Sequence, residues 1–222
     1  MYTAFKTDGF LISAAVPSSN IYSEIGFDIP SLNRHLDHIN VMNYDYYTPP
    51  HESKTEVGVT GHNAPLTATS SAQPECVHDV MDYWVRKGAS PKKLILGVPL
   101  YGYGYQLVNT SSSKAEETVG AKATASCKLD GDYSHICSMV KQPGWSVHWD
   151  EHAQVPYALD GKGGWLSYDN LKSVTLKIKY ILERKFGGSM VWNLDGDDAS
   201  GHCGEGRFPM MKLQMKMLNN SK

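Results

Sequence analysis

Short apolar runs alternate along this chain with longer stretches of helical period. Phe10–Val16, His38–Tyr44, Leu94–Leu100 and Ser189–Leu194 are brief and mostly apolar, the pattern of parallel strands covered on both faces. Between and after them the period becomes helical. Pro74 to Lys87 sets Val77, Val80, Met81, Trp84 and Val85 on one stripe, and Gly88 follows as a stop. Asp169 is placed to cap a helix running to Phe186, with Leu171, Val174, Ile178, Ile181 and Leu182 on its buried face and Gly187-Gly188 at its end. Pro209 suits a helix start before Met210 to Leu218, and a weaker turn covers Pro30 to Leu36. Such alternation predicts parallel β/α units with right-handed crossovers.

One stretch breaks the rhythm. From about Gln106 to Trp165 the helical period disappears, while Trp145, Val147 and Trp149 alternate as a strand does. An inserted α+β subdomain over residues 106–165 is expected, with β/α units over 1–105 and a last helix, strand and helix over 166–222. The fold class is α/β. Four β/α units are too few to close an eight-stranded barrel, and an open sheet would expose two apolar edges. A partial barrel is therefore expected, with about half of it outside this chain.

Composition narrows the class. Of 222 residues, 41% are hydrophobic and 20% charged, as in a globular protein. A formal charge of -2, without a run of one sign, argues against nucleic acid as a partner. No apolar run has the length to cross a bilayer. Phe10–Pro17 is apolar but short, with only Lys6 and Asp8 charged before it, so it reads as a strand rather than a signal peptide. Cys76, Cys127, Cys137 and Cys203 form no C-x-x-C pair of a zinc or redox site. The even cysteine count, with sequons at Asn109-Thr110-Ser111 and Asn219-Asn220-Ser221, leans towards a secretory origin. Its conflict with the missing signal suggests that the true start of the protein lies upstream.

Chemistry in parallel β/α folds sits at the C-terminal ends of strands. Met42-Asn43-Tyr44-Asp45 closes the second strand, Tyr101-Gly102-Tyr103-Gly104-Tyr105 follows the third, and Trp192 stands at the fourth. Aromatic faces and a carboxylate at neighbouring strand ends favour a carbohydrate site over a set of core aromatics. A rival signature, His148-Trp149-Asp150-Glu151-His152, matches the H-x-x-E-H of some zinc proteases. Its strand-like surroundings favour a polar turn, because zinc binding needs both histidines on one helical face.

Several motifs together resemble the glycoside hydrolase family 18 chitinases and chitinase-like lectins of animals. They are Gly9-Phe10-Leu11-Ile12-Ser13-Ala14-Ala15-Val16, Asp37-His38-Ile39-Asn40-Val41-Met42-Asn43-Tyr44-Asp45-Tyr46, Thr60-Gly61-His62-Asn63-Ala64-Pro65-Leu66, Gly97-Val98-Pro99-Leu100-Tyr101-Gly102, Tyr168-Asp169-Asn170 and Phe186-Gly187-Gly188-Ser189-Met190-Val191-Trp192. The resemblance covers nearly the whole chain. It implies a partial TIM barrel, strands five to eight, carrying the family's α+β insertion. It also implies an extracellular protein without cofactor or metal, whose partners are chitin or N-acetylglucosamine oligosaccharides, and a Cys137–Cys203 disulfide. Among implied substrate-binding residues, Tyr44 would bond the sugar's N-acetyl group, Asp45 would bind substrate, Met42 would line the floor and Trp192 would stack beneath the ring. Tyr133 would reach the cleft from the insertion.

The family's reaction uses the substrate's own acetamide as nucleophile and a glutamic acid, ending an Asp-x-Asp-x-Glu motif, as proton donor. That motif does not occur here: Asp130-Gly131-Asp132-Tyr133-Ser134 and Asp195-Gly196-Asp197-Asp198-Ala199 end in other residues. No catalytic residue is therefore assigned. Tyr103 stands where arginine is common in the family. The resemblance implies a chitinase-family fragment inactive by itself, or a lectin-like chitin binder. Oligomeric state and the pairing of Cys76 and Cys127 stay open.

Overall fold

In chain order the elements are α1 (Tyr2–Thr7), β1 (Ser13–Pro17), α2 (Asn20–Gly26), α3 (Ile29–His35), β2 (His38–Met42), β3 (Gly58–Val59), α4 (Val77–Arg86), β4 (Leu94–Pro99), β5 (Tyr101–Leu107), β6 (Lys122–Ala125), β7 (Gly131–Asp132), α5 (Tyr133–Met139), β8 (Ser146–Asp150), β9 (Val155–Leu159), β10 (Gly164–Ser167), α6 (Leu171–Arg184), β11 (Gly188–Trp192) and α7 (Pro209–Asn219). The structure is a computed structural model and describes residues 2–50, 57–68, 75–110, 114–126 and 128–220. Pro74, Ser111, Cys127 and Ser221, which figure in the readings above, lie outside the described residues.

Two sheets organise the molecule. The first is parallel, in the order β1-β2-β4-β11. Its register sets Ile39 beside Leu94 and Val41 beside Leu96, so these side chains leave the sheet on one face. There they meet Val77, Val80, Met81 and Trp84 of α4 and Val174, Ile178 and Ile181 of α6, all essentially inaccessible to solvent. Each contributes about 1.5–3 kcal/mol of apolar transfer. The other face carries Ser13, Ala15, His38 and Trp192 exposed, with Asn40, Met42 and Met190 half-buried. This is a partial β/α barrel. Among the described residues no helix is long and apolar enough to cross a membrane.

The second sheet is antiparallel, β3-β6-β5-β10-β9-β8, with β7 added on β5. Most of it lies between β4 and α6 in sequence, but β3 comes from before α4. Trp165 and Tyr105 form its inaccessible centre, rings 5.4 Å apart and edge to face. The alternating Val147 and Trp149 lie in β8, which pairs with β9.

Local chemistry explains where the elements differ from the apolar pattern. β1 begins at Ser13, leaving Phe10 and Leu11 57% and 72% exposed, because β2, the strand it pairs with among the described residues, starts only at His38. Asn170, not Asp169, caps α6: its side chain accepts from Ser173 N at 3.0 Å while Ser173 Oγ accepts from Asn170 N at 2.9 Å. Asp169 instead takes Lys177 Nζ through both carboxylate oxygens at 2.7 Å, with both side chains buried. α1, α2 and α5 are each seven residues or fewer, too short to show an apolar period in sequence.

Candidate functional site

The end of β2 turns sharply. Asp45 has φ 62°, in the left-handed region that aspartate tolerates better than most residues. Asn63 holds this turn, its Oδ1 accepting from Asp45 N at 2.8 Å. The neighbouring strand makes room for it. A Cβ at Gly97 would lie 2.5 Å from Val41 O and 3.0 Å from Tyr44 Cε1, so only glycine there lets the Tyr44 ring rest against β4.

Asp45 is the centre of a short polar cluster. Tyr101 donates to its Oδ1 at 2.5 Å and Tyr103 donates to the same oxygen at 2.8 Å. Both tyrosines project from one face of β5, two residues apart. Burial, then the hydrogen bond to Asp45, pushes both phenols well above the ordinary tyrosine value. They are therefore neutral donors around neutral pH. The Tyr101 ring also meets the Tyr44 ring edge to face, centroids 5.9 Å apart.

Tyr44 differs from them. Its side chain is buried and its hydroxyl has no hydrogen-bond partner among the described residues. Burial, followed by the Asp45 charge, raises it to about 12, so it too holds its proton. An unsatisfied buried hydroxyl costs about 1–3 kcal/mol, which a ligand acceptor would recover.

Met42, Tyr44 and Asp45 share a cavity of about 310 Å³ with Pro17, Ser18 and Glu75. Trp192 stands two strands away at the same end of the sheet, 59% exposed, and the Trp192–Asn193 peptide is cis. Its carbonyl accepts from Leu100 N at 2.7 Å, next to Tyr101. The C-terminal ends of β2, β4 and β11 thus present Tyr44 and Asp45, Tyr101 and Trp192 side by side. Tyr133 is placed apart from this group. It lines a separate cleft of about 140 Å³ with Tyr168, and its hydroxyl donates to Glu205 Oε2 at 2.6 Å. Burial first, then that hydrogen bond, raises its pKa.

Tyr101 and Tyr103, read in the sequence as part of an aromatic cluster at a strand end, and Asn63, read as part of a motif, carry no individual role there; the fold gives them one around Asp45. The signal was present: Tyr-Gly-Tyr alternation puts two hydroxyls on one strand face. Elsewhere, Cys137 and Cys203 are joined by a disulfide with Cα atoms 5.7 Å apart. Cys76 is a buried free thiol, its Sγ 3.1 Å from Asp79 Oδ2. His148 lies in β8 and stacks on Tyr157, with centroids 5.3 Å apart, while His152 is in the turn beyond.

The geometry has close counterparts. The family model described as Glycosyl hydrolases family 18 matches residues 1–197. "Probable chitinase 10" of Drosophila melanogaster is 38% identical over 215 residues, covering 94% of this chain and 9% of that protein. The crystal structure of Ostrinia furnacalis Group IV chitinase in complex with allosamidin superposes with a TM-score of 0.88 at 29% identity, over 100% of this chain and 60% of that one. Human YKL-39, described as a pseudo-chitinase with retained chitooligosaccharide binding properties, gives 0.85 at 27% identity, over 98% of this chain and 61% of that one. The chain thus spans less than two thirds of the length of these proteins.

Proposed function

Because the chain belongs to the glycosyl hydrolases family 18, we propose that it carries one wall of a chitooligosaccharide cleft and binds N-acetylglucosamine oligomers without cleaving them by itself. The observation that carries this reading is the buried, unpartnered Tyr44 hydroxyl beside Asp45, with an exposed Trp192 at the same end of the sheet. Tyr44 donates to the carbonyl of the acetamide. Asp45, with Oδ1 already engaged by two tyrosines, offers its second oxygen to a sugar hydroxyl or amide N–H. Trp192 gives the flat apolar face on which a pyranose packs, and Met42 closes the floor. Tyr133 joins the cleft only by exchanging Glu205 for the ligand. The allosamidin complex of the Ostrinia enzyme and the oligosaccharide binding ascribed to YKL-39 support a sugar ligand for this site.

The reading that these 222 residues do not cleave sugar by themselves is supported by their sequence. No Asp-x-Asp-x-Glu occurs in the 222 residues, and a general acid typically supplies about 10²–10⁴ in rate. Substrate-assisted attack still needs that proton delivered to the leaving oxygen. The Cys137–Cys203 bridge suits an oxidising, extracellular setting.

Calorimetry with chitotetraose tests the binding. We expect heat with the wild type and a loss of about tenfold in affinity, ~1.4 kcal/mol, in Trp192→Ala, largely restored in Trp192→Phe. An absence of heat at millimolar sugar with a folded wild-type protein would sink the reading.

A further inference from the structure

Asp45 is not the only carboxylate in its cavity. Glu75, just ahead of α4, lines the same space of about 310 Å³. Its charge reaches the neighbouring ring of Tyr47: after burial it is the next influence that raises that phenol, to about 12. No Lys, Arg or His lines this space among the described residues, and the partners of Asp45 Oδ1 are two neutral phenols. The cavity thus brings two carboxylates together without a cation. A concave site lined by one sign of charge concentrates ligands of the other sign. The Tyr44 hydroxyl points to a ligand independently, because it lines the same cavity on a residue only 5% exposed and has no partner among the described residues.

We propose that this cavity takes the free ammonium of a deacetylated sugar unit, with Glu75 as the residue that makes the chain prefer glucosamine oligomers to fully N-acetylated ones. The inference rests on the sugar-binding reading above and names the sugar that the site prefers. Hydrogen-bonding capacity distinguishes the two ligands. An acetamide brings one carbonyl and one N–H. Tyr44 serves the carbonyl and one carboxylate serves the N–H, which leaves the second carboxylate without a partner. An ammonium brings three N–H donors and no acceptor. The free oxygen of Asp45, the Glu75 carboxylate and a lone pair of the Tyr44 hydroxyl supply three acceptors for it. Ser18 does not compete for them, because its Oγ donates to the Tyr44 carbonyl at 3.4 Å. Any small amine would satisfy the charge. Trp192, exposed at the same end of the sheet, selects an amine carried on a pyranose, whose apolar face packs on an aromatic ring.

Calorimetry in mildly acidic buffer, where the sugar amine is protonated, compares tetraglucosamine with chitotetraose on the full chain. Charge-assisted hydrogen bonds are roughly twice as strong as neutral ones, so tetraglucosamine is expected to bind about tenfold tighter. Glu75→Gln keeps the shape of the side chain and removes its charge. In that variant the ratio of the two affinities is expected to fall towards one. A wild type that binds chitotetraose as tightly or more tightly would overturn the inference and leave the sugar-binding reading standing. A preference that persists in Glu75→Gln would overturn it too, as a general attraction of a polycation to a chain of charge -2. Failure of both sugars to bind a folded wild type would end both readings. Should the variant not fold, salt decides on the wild type: the preference is expected to shrink as salt is raised, and a preference indifferent to salt overturns the inference.

Discussion

Asp169 shows how one residue can carry a signal for one role and perform another. In sequence it stands at the start of a helical pattern, where an aspartate usually caps. In the fold Asn170 does that work, and Asp169 is closed in with Lys177 and Ser173 Oγ, the latter donating at 2.6 Å. Burial pulls the Lys177 pKa down, while the Asp169 carboxylate works the other way. Removing one member of such a pair leaves an uncompensated buried charge, at a cost of about 3–5 kcal/mol. Lys177→Met is therefore expected to lower the unfolding free energy by that much, measured in urea. Lys177→Met combined with Asp169→Leu should recover much of the loss. The helix stripe could not announce this pair, because a lysine at the buried position reads as a polar interruption of the pattern. The Asp45 cluster was more legible. Met42, Tyr44 and Asp45 stand in one motif and meet at one cavity. Tyr101 and Asn63 reach them from distant segments, a closeness that only the fold creates.

At the level of elements, the long apolar runs and stripes appear as β2, β4, β11, α4, α6 and α7, with ends moved by a few residues. Legibility was lowest where polar contacts, not periodicity, fix the chain. The loop from Thr60 to Leu66 is bound to the antiparallel sheet by such contacts. Its buried His62 Nε2 lies 2.9 Å from Asp150 Oδ2, and Asn63 N donates to Ser167 Oγ at 2.7 Å. Burial pushes the Asp150 carboxyl up, but the His62 hydrogen bond and the Ala153 and His152 amides outweigh it and hold it below the ordinary 3.8. A carboxyl depressed on folding stabilises at pH above its unfolded value, and that contribution disappears as pH falls through the lower folded value. Stability is thus expected to begin falling near pH 3.8 and to keep falling below it. Asp150→Asn should flatten that part of the profile, followed by thermal unfolding against pH.

Over the whole molecule, the disulfide is the longest covalent tie. It spans 66 residues, joining α5 of the insertion to the loop after β11. Closing a loop of that size removes enough freedom from the unfolded chain to stabilise the fold by about 4 kcal/mol in the chain-entropy model, within a usual range of about 2–4. Cys137→Ala with Cys203→Ala is expected to lower the unfolding free energy by that amount, read from denaturant midpoints at unchanged slope. Family resemblance implied this pairing; spacing alone does not fix a partner for any of the four cysteines. The β/α alternation foretold the parallel sheet of a partial barrel, because that follows from the kind of repeating unit.

The two-residue strand β3 has a consequence for anyone wishing to rebuild this protein. It belongs to the antiparallel sheet yet is encoded before α4, more than forty residues ahead of β5. Thr60 N donates to Ala121 O at 2.9 Å and Leu66 N to Ala153 O at 2.9 Å, so the early loop is stitched to the later sheet at several points. Cutting out residues 101–167 as a cassette would orphan those groups. Grafting the cassette elsewhere would leave its sheet a strand short. The subdomain is contiguous in appearance only, and a transplant must carry the Gly58–Leu66 segment with it.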